Sequence, residues 1–249
     1  MKSKILVVTD IHGYKENVED MIEIISPDFV LDCGDHDDDF YADKSVPWYF
    51  IHGNHENKKE LEEMMYGKNR YKNLHLIKPG EMVSINGVNI AGFGGNYSEK
   101  TYFNKGKRKG NSFTHIKKSD VKAIASMEPN KKKLIDILLM HESSEELWDD
   151  SPYNFGQEIN SKIISEFPNV KYVISGHYHV PMERVFENEN ETIRYEISLN
   201  TPEEYNYILF ENTIGRNKNM IKRNKGIIKG RNKGILIREI QNKKSFKYY

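Results

Sequence analysis

Cysteine is nearly absent from this 249-residue chain, where Cys33 stands alone. A single thiol excludes an internal disulfide framework and suits a reducing compartment, so the expected location is the cytoplasm. Long apolar runs are missing as well. No stretch approaches the roughly 20 apolar residues that span a bilayer. Residues 1–9 run straight into a strand-like segment, without the apolar core and cleavage site of a signal peptide. No membrane partner is expected. Net charge is the third absence, with 37 Lys and Arg against 37 Asp and Glu. That balance conceals an asymmetry. Residues 212–249 hold twelve Lys or Arg against one acid, Glu239, a local +11; residues 99–118 hold seven against one, Glu99, a local +6. Two readings of these basic segments stand side by side: contact with a phosphate backbone, or a solvated lysine-rich surface.

With 37% hydrophobic and 30% charged residues the chain can build a core under a heavily charged surface. Its length allows one α/β domain or two small ones. Continuous apolar runs predict buried strands over Lys4 to Thr9, Phe29 to Asp32, Trp48 to Ile51, Leu134 to Met140 and Val170 to Ser175. Helical spacing predicts helices over Tyr14 to Ser26, Glu56 to Tyr66, Val121 to Met127 and Glu158 to Phe167. Asn86-Gly87 between Met82 to Ile85 and Val88 to Phe93 is a hairpin signal. Beyond His179 the pattern is strands and turns. This alternation argues for an α/β fold with mixed sheets. A main domain over 1–211 is expected, followed by a basic extension over 212–249. An imperfect echo there, Arg223-Asn224-Lys225-Gly226 and Arg231-Asn232-Lys233-Gly234, suits either short strands or a partly ordered tail.

Five blocks carry almost only metal-binding residues: Asp10-Ile11-His12, Gly34-Asp35, Gly53-Asn54-His55-Glu56, His141, and Gly176-His177-Tyr178-His179. Each follows an apolar run, which places it at the end of a buried strand, where parallel sheets build their sites. Phosphodiesters are anionic and repel hydroxide. Two divalent ions about 3.5–4 Å apart overcome this by binding phosphate oxygens and acidifying a water. Such a pair needs a carboxylate that touches both ions, and Asp35 is the natural bridge. Mixed oxygen and nitrogen donors leave the metal open: manganese is favoured, with iron, zinc, nickel or cobalt as alternatives. His36, beside Asp35, is expected to line the pocket. His52 and His75 are expected to be ordinary packing or surface residues, and Asp37 and Asp39 part of a solvated acidic loop.

The series D-x-H, G-D, G-N-H-E, lone His and G-H-x-H, in this order over residues 10–179, resembles the calcineurin-like metallophosphoesterases. The resemblance implies a two-sheet α/β sandwich with mixed sheets flanked by helices. It implies that Asp10, His12, Asp35 and His179 hold one ion and that Asp35, Asn54, His141 and His177 hold the other. It further implies in-line attack on phosphorus by a bridging hydroxide, with His55 assisting the leaving oxygen and Asp38 orienting His55. The Ser/Thr phosphatase branch places Arg where this chain has Asp39, and a carboxylate there disfavours a phosphomonoester dianion. The middle of the chain, from Gly53 through Asn73-Leu74-His75 to Asn86–Tyr97, resembles RNA lariat debranching enzymes. By that resemblance Asn96, Tyr97, Lys100, Tyr102 and Arg108 would contact substrate, because basic residues interleaved with aromatics suit phosphate contact and base stacking. Debranching enzymes commonly carry cysteine at the position of Asp10, and the aspartate here implies a fully loaded dinuclear site. The expected activity is therefore phosphodiester hydrolysis, of RNA, DNA or a small nucleotide. The alternatives are a phosphomonoesterase or protein phosphatase, and a nucleic-acid-binding protein with a vestigial site.

Overall fold

A computed structural model describes residues 2–36, 38–103, 113–144, 147, 155–187, 193–199, 206–213 and 220–227. Two six-stranded mixed sheets lie face to face. The first runs β12 (Met220–Ile227), β11 (Asn206–Thr213), β1 (Lys2–Val8), β2 (Phe29–Asp32), β3 (Trp48–Phe50) and β4 (Leu74–Leu76). The second runs β5 (Met82–Ile85), β6 (Val88–Phe93), β7 (Ile137–Met140), β8 (Tyr172–Ser175), β10 (Ile193–Ser198) and β9 (Met182–Glu187). Strands β1 to β4 are mutually parallel, as are β6, β7, β8 and β10, while β5, β9, β11 and β12 pair antiparallel.

Side-chain alternation explains the layering. Ile5 and Val7 of β1 point to the core between the sheets, with Leu31, Ile90, Leu139 and Ile174. Leu6 and Val8 point the other way, onto Val18, Met21 and Ile25 of helix α1 (Lys15–Ile25). Helix α2 (Lys58–Met65) adds Met64 to that face. The outer face of the second sheet, Leu138, Met140 and Val173, packs on Ile124 of α4 (Lys118–Ala125) and Ile159 and Ile163 of α6 (Phe155–Ser165). Strands buried on both faces must be apolar throughout, which is why they were legible as continuous runs. Two short helices, α3 (Glu99–Tyr102) and α5 (Pro129–Lys132), complete the described elements.

The hairpin β5–β6 and strand β2 lie where the sequence placed them. Strand β7 starts at Ile137 rather than Leu134, because Pro129 opens a helical turn and leaves Leu134 54% exposed. Helix α6 begins at Phe155, three residues before the expected start. Strand β4 falls in the strand-like run around His75; its three residues are too few for a pattern of their own, and it exists by pairing with β3. The expected boundary after residue 211 falls inside β11, and Met220–Ile227 extends the same sheet. Residues 228–249 lie outside the described residues, as do Asp37 and Arg108. No helix among the described residues is long and apolar enough to cross a membrane.

A half-buried cation beside the first sheet should make stability pH-dependent. The Lys44 Nζ donates to the Phe40 carbonyl at 2.6 Å and sits 4.0 Å above the Phe40 ring. Burial, aided by the charge of Lys15, lowers its pKa from 10.5 to about 8. Between those values the unfolded chain binds more protons than the folded one, so this group's contribution to stability rises with pH across that window and is a penalty below it. After allowance for partial exposure the effect is on the order of 1–2 kcal/mol. Lys44→Met should melt higher than wild type at pH 7 and lack the rise between pH 8 and 10.5. Melting curves of the two proteins at pH 7 and 10 measure this, and parallel pH slopes would refute it.

Candidate metal centre

Parallel strands of both sheets end at one edge, and five of them each deliver one polar block. Asp10 follows β1, Asp35 follows β2, Asn54 and His55 follow β3, His141 follows β7, and His177 and His179 follow β8. To aim side chains back across that edge, the chain turns sharply. Asp10 (φ 51), His12 (36), Asp35 (68), His177 (69) and His179 (54) all adopt left-handed backbone conformations. Each costs an L-residue roughly 1–2 kcal/mol, and such strain gathers at functional sites.

The structure brings all seven expected ligands together. Asp10, His12, Asp35 and His179 form one group and Asp35, His141 and His177 another, with donor atoms within 4.8 Å of one another in each. The Asn54 Oδ1 adjoins the second group, 3.0 Å from the His141 Nε2. Asp35 belongs to both: its Oδ2 lies 3.4 Å from the His12 Nε2 and its Oδ1 3.3 Å from the His141 Nε2. The His179 Nε2 lies 3.2 Å from the Asp10 Oδ1. Two carboxylates, four imidazoles and an amide, with one carboxylate shared, form a donor set that fits two hard or borderline divalent ions.

The side chains are held from behind. The Thr9 hydroxyl donates to the Asp10 Oδ2 at 2.6 Å, and the His177 N–H points at both Asp10 oxygens at 3.1 Å. The His55 N–H donates to the Asp35 Oδ1 at 2.8 Å. The His141 Nδ1 lies 2.9 Å from the Cys33 carbonyl, which turns Nε2 toward Asp35. Gly34 and Gly53 touch, since a Cβ on Gly34 would lie 2.4 Å from the Gly53 nitrogen. Electrostatics follow this geometry. Burial pushes the Asp35 carboxyl up, but the charge of His141 and hydrogen bonds from His12, His141 and His55 hold it well below the usual range. Burial lowers His141, yet Asp35 outweighs that and raises it to about 9. His177, lowered by burial and by the charge of His141, falls to about 4.

His55 is exposed and lines a cleft of about 600 Å³ with Asp38, Asp39, Asn57 and Lys58. Its ring packs against His12 at 5.2 Å. The expected hydrogen bond from His55 to Asp38 is not among the described contacts. Asp38 accepts instead from the Asn57 Nδ2 at 2.8 Å, and Asn57 in turn caps α2. His36 borders the same cleft, as expected, but its side chain is turned inward. It is 1% exposed, with Nε2 2.9 Å from the Asp32 Oδ2 and Nδ1 3.0 Å from the Glu56 Oε2. The left-handed turn at Asp35 sends the next side chain inward, where it stacks on Phe40 at 3.6 Å. Burial lowers its pKa, but the two carboxylates prevail and raise it to about 10.

Of the other expected contacts, the Asn96 Oδ1 lies 2.6 Å from the His115 Nδ1, and the Tyr97 N–H donates to the Glu142 Oε2 at 3.1 Å. Tyr97 and Tyr102 pack with Phe155, and Lys118 lies over Tyr102 and the half-exposed Phe103. Lys100 lies exposed on α3. Sequence reasoning missed Thr9, Glu142 and Tyr178. Glu142 joins the Tyr97 segment to the hydroxyl of Tyr178, which stands between two site histidines, at 3.0 Å. A buried acid directly after His141 was the available signal.

A family model described as calcineurin-like phosphoesterase matches residues 3–181. The chain is 27% identical over 172 residues to a lariat debranching enzyme of Arabidopsis thaliana, covering 59% of this chain and 40% of that protein. It is 32% identical over 101 residues to a lariat debranching enzyme of Schizosaccharomyces pombe, covering 37% of this chain and 21% of that one. The chain thus spans less than half the length of these relatives. In fold it is similar to the crystal structure of a dimetal phosphatase from Danio rerio, with a TM-score of 0.54, 10% identity and coverage of 88% and 98% of the two chains.

Proposed function

The chain belongs to the calcineurin-like phosphoesterase family, and from that premise we propose that it hydrolyses phosphodiesters at a dinuclear metal centre. The observation that carries the reading is Asp35, one buried carboxylate common to two donor groups. Asp10, His12, Asp35 and His179 would hold one ion, and Asp35, Asn54, His141 and His177 the other. When bound, two divalent ions, manganese in our reading, would neutralise phosphate charge and acidify a nucleophilic water. The protein's own part is positioning. Thr9 and the His177 N–H fix Asp10, and the His55 N–H fixes Asp35. The exposed His55 ring lines the open cleft, and in this reading it would give a proton to the leaving oxygen.

Two features favour a diester. Asp38 and Asp39 are exposed on the same cleft and repel a dianion more than a monoanion. Tyr102, Phe103 and Lys118 form a cationic aromatic surface suited to the bases and phosphates flanking a nucleic-acid diester. The matched relatives are named as lariat debranching enzymes, which accords with RNA as the substrate class. Because β11 and β12 complete the first sheet, the catalytic unit in this reading extends to Ile227.

Hydrolysis of bis-p-nitrophenyl phosphate and p-nitrophenyl phosphate, with manganese and with chelator, tests the proposal. We expect turnover that chelator abolishes and a kcat/KM at least about tenfold higher for the diester, a difference of about 1.4 kcal/mol. Preference for the monoester would replace the reading with a phosphomonoesterase. Two bound ions with no turnover of either would favour a binding protein.

A further inference from the structure

Glu56 ends the third motif and borders the cleft, yet it is 8% exposed and its carboxylate is buried. Its two oxygens do different things. Oε1 accepts from the Gly53 N–H at 2.8 Å and from the Asp35 N–H at 3.1 Å. These donors sit on different loops, one after β3 and one after β2. Oε2 accepts from the Tyr41 hydroxyl at 2.7 Å and lies 3.0 Å from the His36 Nδ1. The His36 Nε2 reaches Asp32, whose Oδ1 accepts from the Gly34 N–H at 2.9 Å and whose Oδ2 accepts from the Trp48 Nε1 at 3.1 Å. The chain therefore keeps two carboxylates and an imidazole, all buried, directly behind Asp35.

Satisfying buried N–H groups is a general requirement, and separate acceptors would meet it. The particular feature here is that one oxygen serves both loops. The reach of a single atom sets their separation, and with it the distance of Asp35 from Asn54 and His55. We propose that Glu56 is a positioning residue for the metal centre: its Oε1 spaces the Asp35 loop against the Asn54–His55 loop, and Asp32 and His36 hold it in register. The inference rests on the reading of Asp35 and Asn54 as ligands. Partners of this kind behind a ligand typically change metal affinity or activity 10–100-fold when removed.

Calorimetric titration of manganese into the metal-stripped full chain tests it, with wild type, Glu56→Gln, Glu56→Asp, Glu56→Ala and Leu61→Ala compared. Leu61 is fully buried on α2 and reports packing loss alone. We expect two ions in wild type and affinity within roughly 3-fold for Glu56→Gln, which keeps an oxygen at the same reach. Glu56→Asp keeps the charge but falls one methylene short of both N–H groups, and should bind about 10-fold more weakly, with Glu56→Ala weaker by 10–100-fold. Leu61→Ala should melt lower with affinity unchanged. If Glu56→Ala does not fold, the Gln and Asp variants decide alone. Glu56→Asp binding as tightly as Glu56→Gln, or Glu56→Ala binding like wild type, would overturn the role of Glu56. Wild type that binds no manganese would instead remove the ligand reading, and this inference with it.

Discussion

Asp35→Asn should lower phosphodiester hydrolysis by on the order of 10³-fold, comparable to losing a principal transition-state contact, while the protein stays folded. Asparagine keeps an oxygen where the Asp35 Oδ1 accepts the His55 N–H, so the loop is retained. What it loses is the negative charge common to the Asp10, His12, His179 group and the His141, His177 group. Asn54 already supplies a neutral oxygen beside the second group, so the substitution leaves Asp10 as the one carboxylate among the seven ligand residues. Bound manganese per chain should fall below two. Metal analysis after gel filtration, paired with the bis-p-nitrophenyl phosphate assay, checks both halves. Two retained ions with activity within tenfold of wild type would end the assignment of Asp35 as the shared ligand.

The second large effect comes from a residue with no side chain. A Cβ added to Gly176 would lie 2.0 Å from the Thr9 Oγ1 and 2.1 Å from the Asp10 Oδ2, both fully buried. Neither can retreat, because Thr9 directly follows β1 and Asp10 is held by the Thr9 hydroxyl and the His177 N–H. Overpacking of this kind costs about 1–3 kcal/mol, and contacts near 2 Å place Gly176→Ala at the upper end. For a domain of this size about 3 kcal/mol corresponds to a melting temperature lower by roughly 6–12 °C. The clash falls on Asp10, so manganese held with Asp10 and His179 should weaken at the same time. A variant that melts within about 2 °C of wild type and binds both ions normally would show that this junction is looser than its distances imply.

Much of the site could be read along the chain because of where polar blocks meet apolar runs. A strand buried on both faces has nowhere for a charged residue except its end, so Asp10, Asp35, His141 and His177 announce themselves. What adjacency could not show is where a side chain turns once the local backbone conformation is set. His36 neighbours Asp35 in sequence, yet the φ of 68 at Asp35 directs it inward between Asp32 and Glu56. Asp38 falls in a short 3-10 turn over Asp38–Phe40, and its carboxylate is engaged by the α2 cap rather than by His55. Strand β4 left only a short strand-like run around His75, and its pairing with β3 decides it.

Composition and motif order were therefore enough to determine the α/β class, the strand-end placement of the candidate ligands and the family. They implied which ends meet only through the family resemblance, and did not show how. Asp10 contacts His179 and Asp35 contacts His141 only because two sheets stack with their parallel strands ending at the same edge. The support behind the ligands was equally hidden. Glu56 accepts from the Asp35 N–H 21 positions away and Glu142 from the Tyr97 N–H 45 positions away, and only the fold shows that Thr9 turns its hydroxyl onto its neighbour Asp10. Periodicity records which face of an element is buried, since burial is a property of each residue in turn. A hydrogen bond across loops is a property of pairs, and the packing of the whole fold decides it.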